Sequence, residues 1–329
     1  MNRNWQHQTH QRAAIIFGQM NAALACAPDD RAREDFLQQP NNPYFSLLND
    51  LYGEDYPLAR LLDLSDLVVH AEGPDLRDPM PALRATTWLC TVTNKQLRHL
   101  VLSTMDLAQG AKRMASQDIN LRLTGLAPGS LYAGFTLLPN HDDILNAQTE
   151  PVYQDARLAM QGLSRVPKYI DDEQLSPDIA DAFPDPAVRD ASLVAAFNLS
   201  PTGKRGIHTL SLSVPGSPPA HLGQRERVVL RDALRKPHIV NGKFGRFVGE
   251  VRAADLDQTR FNLRTSFGAL RCIVTDLPDT LARQIFGRTV EVSGFYETDV
   301  NGIPRLMRVD TVHEIPISEQ IDMPLRHTA

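Results

Sequence analysis

The stretch from Lys243 to Ile317 constrains the fold more than any other part of the chain. Within about 75 residues, segments of alternating apolar and polar residues are separated by short runs of turn formers. Phe247 to Ala253 reads as a strand, Asp255-Leu256-Asp257-Gln258 as a turn, and Arg260 to Thr265 as a second strand. Ser266-Phe267-Gly268 turns the chain into Ala269 to Thr275. Leu277 to Phe286 carries a helical pattern that Gly287 ends, then Thr289 to Tyr296 and Arg305 to Glu314 read as strands about the turn Asp299-Val300-Asn301-Gly302. The order is β-β-β-α-β-β.

That order resembles the OB-fold, a five-stranded Greek-key barrel with a helix between its third and fourth strands; an SH3-like barrel is the rival arrangement. The resemblance covers this last quarter alone and rests on element order and turn chemistry. OB domains commonly bind single-stranded nucleic acid or oligosaccharide on the face of strands two and three. With Phe261, Leu263, Leu270, Cys272 and Val274 turned inward, Arg260, Arg264 and Arg271 share the outer face. The resemblance implies that these arginines meet phosphates and stack on bases.

The first 214 residues mix helical and strand patterns, so the fold class is expected to be α+β: a mainly helical, mixed N-terminal body followed by the small barrel. Residues 12–70 read as helices, with Asp29 or Asp30 capping the second and Pro57 to Val69 forming another. Thr86 to Thr93 is rich in β-branched residues and fits either a strand or the start of a helix. Leu97, Leu100, Val101, Met105 and Ala108 then follow a helical period to about Ser116. Alternation returns at Ile119 to Leu123 and Leu131 to Leu137, a hairpin signal, and again at Ile207 to Val214. Between them lies helix, with Asp185 or Pro186 opening a segment that contains Val188, Leu193, Val194 and Phe197. Pro215-Gly216-Ser217-Pro218-Pro219 is the strongest linker signal. The expected organisation is a body at 1–214, a linker and basic helix at 215–242, the barrel at 243–317 and a tail at 318–329.

The formal charge of −5 hides an uneven distribution. From Gly203 to Arg246 the basic residues Lys204, Arg205, Arg225, Arg227, Arg231, Arg235, Lys236, Lys243 and Arg246 face only Glu226 and Asp232. On the expected helix Leu222 to Leu234, Arg227, Arg231 and Arg235 recur every four residues and form one stripe. Such a stripe fits a nucleic-acid backbone, an acidic partner protein, or acids of this same chain.

No complete catalytic constellation is present. Leu199 to Arg205 lacks the first glycine of a phosphate loop and the hydroxyl residue after its lysine. His141-Asp142-Asp143 has no second histidine motif beside it, Arg3 and His10 lie in a polar terminal segment expected to fray, and Ser130 lacks the glycine pattern of a nucleophile elbow. No metal-ligand spacing occurs, and no cofactor is expected. The three cysteines, Cys26, Cys90 and Cys272, are far apart among apolar neighbours, which fits buried reduced thiols in a cytoplasmic protein. The best candidate apolar run, Leu97 to Ala108, is broken by Arg98, His99, Ser103 and Asp106, so no membrane span is expected.

The expected function is therefore a non-enzymatic, nucleic-acid-associated adaptor or regulatory protein. An adaptor takes its role from its partners, and the expected setting is a bacterial multi-protein system. Lys204, Arg205, Arg227, Arg231, Arg235, Arg260, Arg264 and Arg271 are the candidate contacts to single-stranded nucleic acid or an acidic surface. One alternative is a protein–protein module that binds and regulates an acidic partner, and a homo-oligomer is compatible with either reading. The other is a cryptic metal-dependent nuclease or phosphohydrolase.

Overall fold

The computed structural model describes residues 4–76, 81–104, 119, 121–127, 130–138, 151–204, 206–235, 239, 242–255, 259–274 and 284–315. The fold is α+β, and the chain forms two compact units, each assembled from separated segments. The first takes residues 1–95, 118–164 and 199–224, the second 96–117, 165–198 and 225–329.

In the first unit, α1 (Asn4–Ala25), α2 (Asp30–Gln38), α3 (Pro43–Asp50) and α4 (Tyr56–Leu64) precede a five-stranded sheet. The sequence-expected fraying of the first residues gives way to helix from Asn4, where Trp5 packs edge-on against Tyr56 of α4. Asp29 caps α2 by accepting the Ala32 N–H, as its position before the helix implies.

The helical reading of Pro57 to Val69 holds only to Leu64, because β1 (Leu67–Glu72) begins directly after it. Ser65 is extended, and the Asp66 carboxylate accepts the Thr136 hydroxyl at 2.8 Å and the Leu137 N–H at 2.9 Å. These bonds register β1 against its neighbour. Leu67, Val68 and Val69 are all buried, so the central strand reads as an unbroken apolar run without the alternation of a half-exposed one.

The sheet order is β2-β3-β1-β4-β5, with β2 (Leu121–Ala127), β3 (Leu131–Leu137), β4 (Thr209–Ser213) and β5 (Ala220–Leu222). The expected hairpin is present as β2–β3. Pro215 to Pro219, read from sequence as a linker, connects the paired strands β4 and β5. Thr86 to Thr93 lies inside α5 (Leu83–Thr104), where Ala85, Leu89, Thr93 and Leu97 recur every four residues and are buried; that stripe overrides the β-branched composition. Residues 105–116 lie outside the described residues. α6 (Pro151–Arg165) follows them.

The second unit holds α7 (Ile179–Ala182), α8 (Pro186–Leu199), α9 (Gln224–Arg235) and the barrel, apart from the terminal residues Leu199 and Gln224. Its strands are β6 (Lys243–Asp255), β7 (Arg260–Thr265), β8 (Gly268–Val274), β9 (Thr289–Thr298) and β10 (Pro304–Glu314). They close in the order β10-β8-β7-β6-β9, with β10 parallel to β8 and the other pairs antiparallel. Val251, Phe261, Leu263, Leu270, Cys272, Val290, Val292 and Met307 fill the interior, and among them Phe261, Leu263, Leu270 and Cys272 are inward residues that the alternation assigns to β7 and β8. Asp299 makes the last turn by accepting the N–H groups of Asn301 and Ile303. The expected helix at 277–286 falls largely outside the described residues.

Cys272 is buried and Cys90 half-buried, and burial pushes both thiols up. Cys26 directly follows α1 and is exposed, contrary to the expectation of three buried thiols. No described helix is long and apolar enough to cross a membrane.

Candidate functional site

The outer surface of the barrel is divided into two faces of different chemistry. On β7 and β8 the alternation turns Arg260 and Arg271 outward, as the sequence implies, but α8 lies over them. Arg260 donates to both carboxylate oxygens of Asp190, Nε to Oδ2 at 2.9 Å and Nη2 to Oδ1 at 2.8 Å, and also to the Leu234 carbonyl of α9. Arg271 donates to the same carboxylate through Nε. Asp190 and Arg260 are each 4% exposed and Arg271 9%. Burial would raise the Asp190 pKa, but the charges and hydrogen bonds of Arg271 and Arg260 outweigh it and hold the carboxyl down at about 2.

Two further ion pairs tie α8 to the barrel. Asp185 caps the helix by accepting the Ala187 N–H at 2.8 Å, and its other oxygen accepts Arg305 Nε of β10 at 3.2 Å. Arg189 pairs with Glu297 of β9, both largely buried. Replacing Asp185 by alanine is expected to cost about 1–2 kcal/mol through the cap alone, read from a shift in the urea midpoint.

The expected solvent-facing trio on β7 and β8 is therefore corrected. Arg260 and Arg271 neutralise a buried carboxylate, and only Arg264, at the far end of β7, is exposed. The stripe on α9 is similarly divided. Arg227 donates to the Phe197 carbonyl at 2.6 Å and lies 4.1 Å over the Phe197 ring, with its pKa lowered by burial and by Arg231. Arg231 is exposed and pairs with its neighbour Asp232, while Arg235 is exposed. Lys204 is exposed in a turn, and Arg205 lies outside the described residues.

The second face runs across β6, β9 and β10, and no expected site residue lies on it. Phe244 of β6 stands opposite Phe295 of β9, their rings edge-to-face with centroids 5.6 Å apart. Arg308 of β10 stands opposite Phe295 in turn, its guanidinium 5.2 Å from the ring centroid. Phe244 is 58% exposed and Phe295 37%. Arg246, two residues further along β6, is exposed on the same side. Two accessible aromatic rings beside two cations make a stacking surface with charge at its edge. A sequence signal for it exists: in Lys243-Phe244-Gly245-Arg246-Phe247, period two turns Phe244 and Arg246 to the side opposite Phe247.

No family model matches this chain. No curated protein matches it either.

The first unit carries a polar row across its sheet, in the order Tyr132, His70, Ser211, His221. His70 stacks on Tyr132 with centroids 3.8 Å apart, and Ser211 Oγ lies 2.8 Å from His221 Nδ1. Ser211 is only 7% exposed, so this contact satisfies a cross-strand polar pair without presenting an open nucleophile. Among the described residues no three His, Cys, Asp or Glu side chains gather as a metal-binding group. His141 and Asp142 lie outside the described residues, as does Arg3, whereas His10 is exposed on α1.

Proposed function

We propose that this protein is a single-stranded nucleic-acid-binding adaptor whose barrel is of the OB type, with Phe244 and Phe295 stacking on bases and Arg308 and Arg246 meeting phosphates. The observation that carries the reading is the exposed Phe244–Phe295 pair flanked by these cations. Closure of the barrel through a parallel β8–β10 pair supports an OB-type arrangement over an SH3-like one. α8 lies over Arg260 and Arg271 of β7 and β8, whereas Phe244 and Phe295 of β6 and β9 stay exposed. The three unpaired cysteines favour a reducing compartment and hence a cytoplasmic setting.

Fluorescence anisotropy with a labelled oligothymidine of about 15 nucleotides, long enough for one barrel, tests this. Phe244→Ala is expected to weaken binding about fivefold to a hundredfold, the loss of one base stack. Two phosphate contacts predict a slope of about −1.4 for log K against log salt. Absence of binding at about 50 mM salt, or an unchanged affinity in Phe244→Ala, overturns the reading.

A second reading, docking of an acidic partner protein on the same face, draws on Val248, which extends the exposed apolar surface along β6. It predicts no oligonucleotide binding, and association with a defined acidic partner that Val248→Asp abolishes.

A further inference from the structure

We propose that the cleft between α7, α8, α9 and β10 binds a small organic anion with an apolar body, a medium-chain carboxylate being the simplest member of the class. The cleft has a volume of about 540 Å³, within the range of small-molecule sites. Leu175, Ile179, Leu193, Val229 and Leu306 supply apolar walls. A purely apolar hollow would take any greasy body, but this one has a cation in its lining.

Arg189 lines the cleft and is 8% exposed. It donates to Glu297 through Nη2, and its Nε and Nη1 reach no acceptor among the described residues. A guanidinium presents five N–H donors, and those of Arg189 not taken by Glu297 are available to an incoming anion. The other charged group on the inner wall, Asp190, does not oppose this, because Arg260 and Arg271 both bond to its carboxylate. The remaining acids, Glu173 and Asp232, are exposed, and Asp232 pairs with Arg231. Solvent screens them enough for a monoanion to pass, but two like charges at the mouth select against a phosphate dianion. The site therefore fits one carboxylate at Arg189 and an alkyl or aryl body along Leu193, Val229 and Leu306.

This inference is independent of the Phe244–Phe295 surface and is tested separately, on the full chain. The probe is 8-anilinonaphthalene-1-sulfonate, an aromatic monoanion whose fluorescence rises on entering an apolar site, displaced by octanoate or by 1-octanol. Octanoate is expected to compete at least about tenfold better than 1-octanol, the worth of a charge-assisted hydrogen bond. Ala233→Trp, which fills the cleft from α9 and leaves every ion pair in place, is expected to lower octanoate affinity by at least about tenfold. Arg189→Lys keeps the charge opposite Glu297 but removes the planar fork, and is expected to narrow the octanoate preference over octanol. Should Ala233→Trp not fold by circular dichroism, Ala180→Phe fills the same cleft from α7. Equal competition by octanol and octanoate, or unchanged octanoate binding in a folded cleft-filled variant, overturns the proposal.

Discussion

Asp190→Asn is expected to lower the unfolding free energy by about 3–5 kcal/mol, the cost of breaking a buried ion pair from one side. The substitution keeps the shape of the side chain but turns an amide, with two donors of its own, toward two guanidinium groups that have been drawn out of water. Arg260 and Arg271 are both affected, because they share the single carboxylate. Urea denaturation with an unchanged m-value would show the loss as a lower midpoint. Replacing all three residues together, Asp190→Leu with Arg260→Met and Arg271→Met, is expected to recover most of that loss, since apolar residues of similar volume do not bear the desolvation of three ions. A triple variant no more stable than Asp190→Asn would show that the network holds α8 by geometry that packing cannot replace.

The same carboxylate sets an acid limb. Its folded pKa of about 2 lies below the ordinary 3.8, so the unfolded chain binds the proton more readily. The stabilisation is fully present above about pH 4 and is lost as the pH falls toward and through about 2. In Asp190→Asn the stability between about pH 4 and 2 is expected to fall less steeply than in the wild type. Parallel acid limbs in the two proteins would assign the lost stability to packing.

The contrast between legible and hidden parts of this chain follows from the range of the interactions involved. The barrel strands are readable because period two and turn residues such as Asp299 and Gly302 are local, and β7 spans Arg260–Thr265 as the alternation dictates. The cap at Asp29 is local too. β1 was hidden because a central strand buried on both faces has the composition of a buried helix segment, and the bonds that fix it come from Thr136 and Leu137, about seventy residues away. The outward side of Arg260 and Arg271 was legible for the same reason as their strands, whereas their cover was not. Asp190 stands seventy residues before Arg260 in a helix whose sequence reads as apolar, and nothing local marks a carboxylate there as the partner of two strands. Phe244 and Phe295 were readable individually as outward residues, but their meeting depends on the β6–β9 register, which spans fifty residues of chain.

That register also predicts a position at which one added methyl group harms the barrel. Gly294 of β9 lies between Gly245 of β6 and Val309 of β10, beside the β-bulge at Asp310 where the β9–β10 register slips by one residue. A Cβ at Gly294 would stand 2.1 Å from the Arg308 carbonyl oxygen and 3.0 Å from the Asp310 nitrogen. Both atoms are backbone of the closing strand, so neither can turn aside as a side-chain end does, and relief requires opening the ladder. Gly294→Ala is expected to cost about 3 kcal/mol, the upper range for overpacking, with Phe295 and Arg308 displaced together and oligonucleotide binding weakened in step. Gly287→Ala is the matched control: its φ of 74° carries the left-handed penalty, but a Cβ there meets nothing within 4 Å. That variant is expected to lose only about 1–2 kcal/mol and to keep the Phe244–Phe295 surface intact. Equal losses for the two glycines would mean that the ladder beside the bulge yields without cost, and that the aromatic surface is not held by barrel closure.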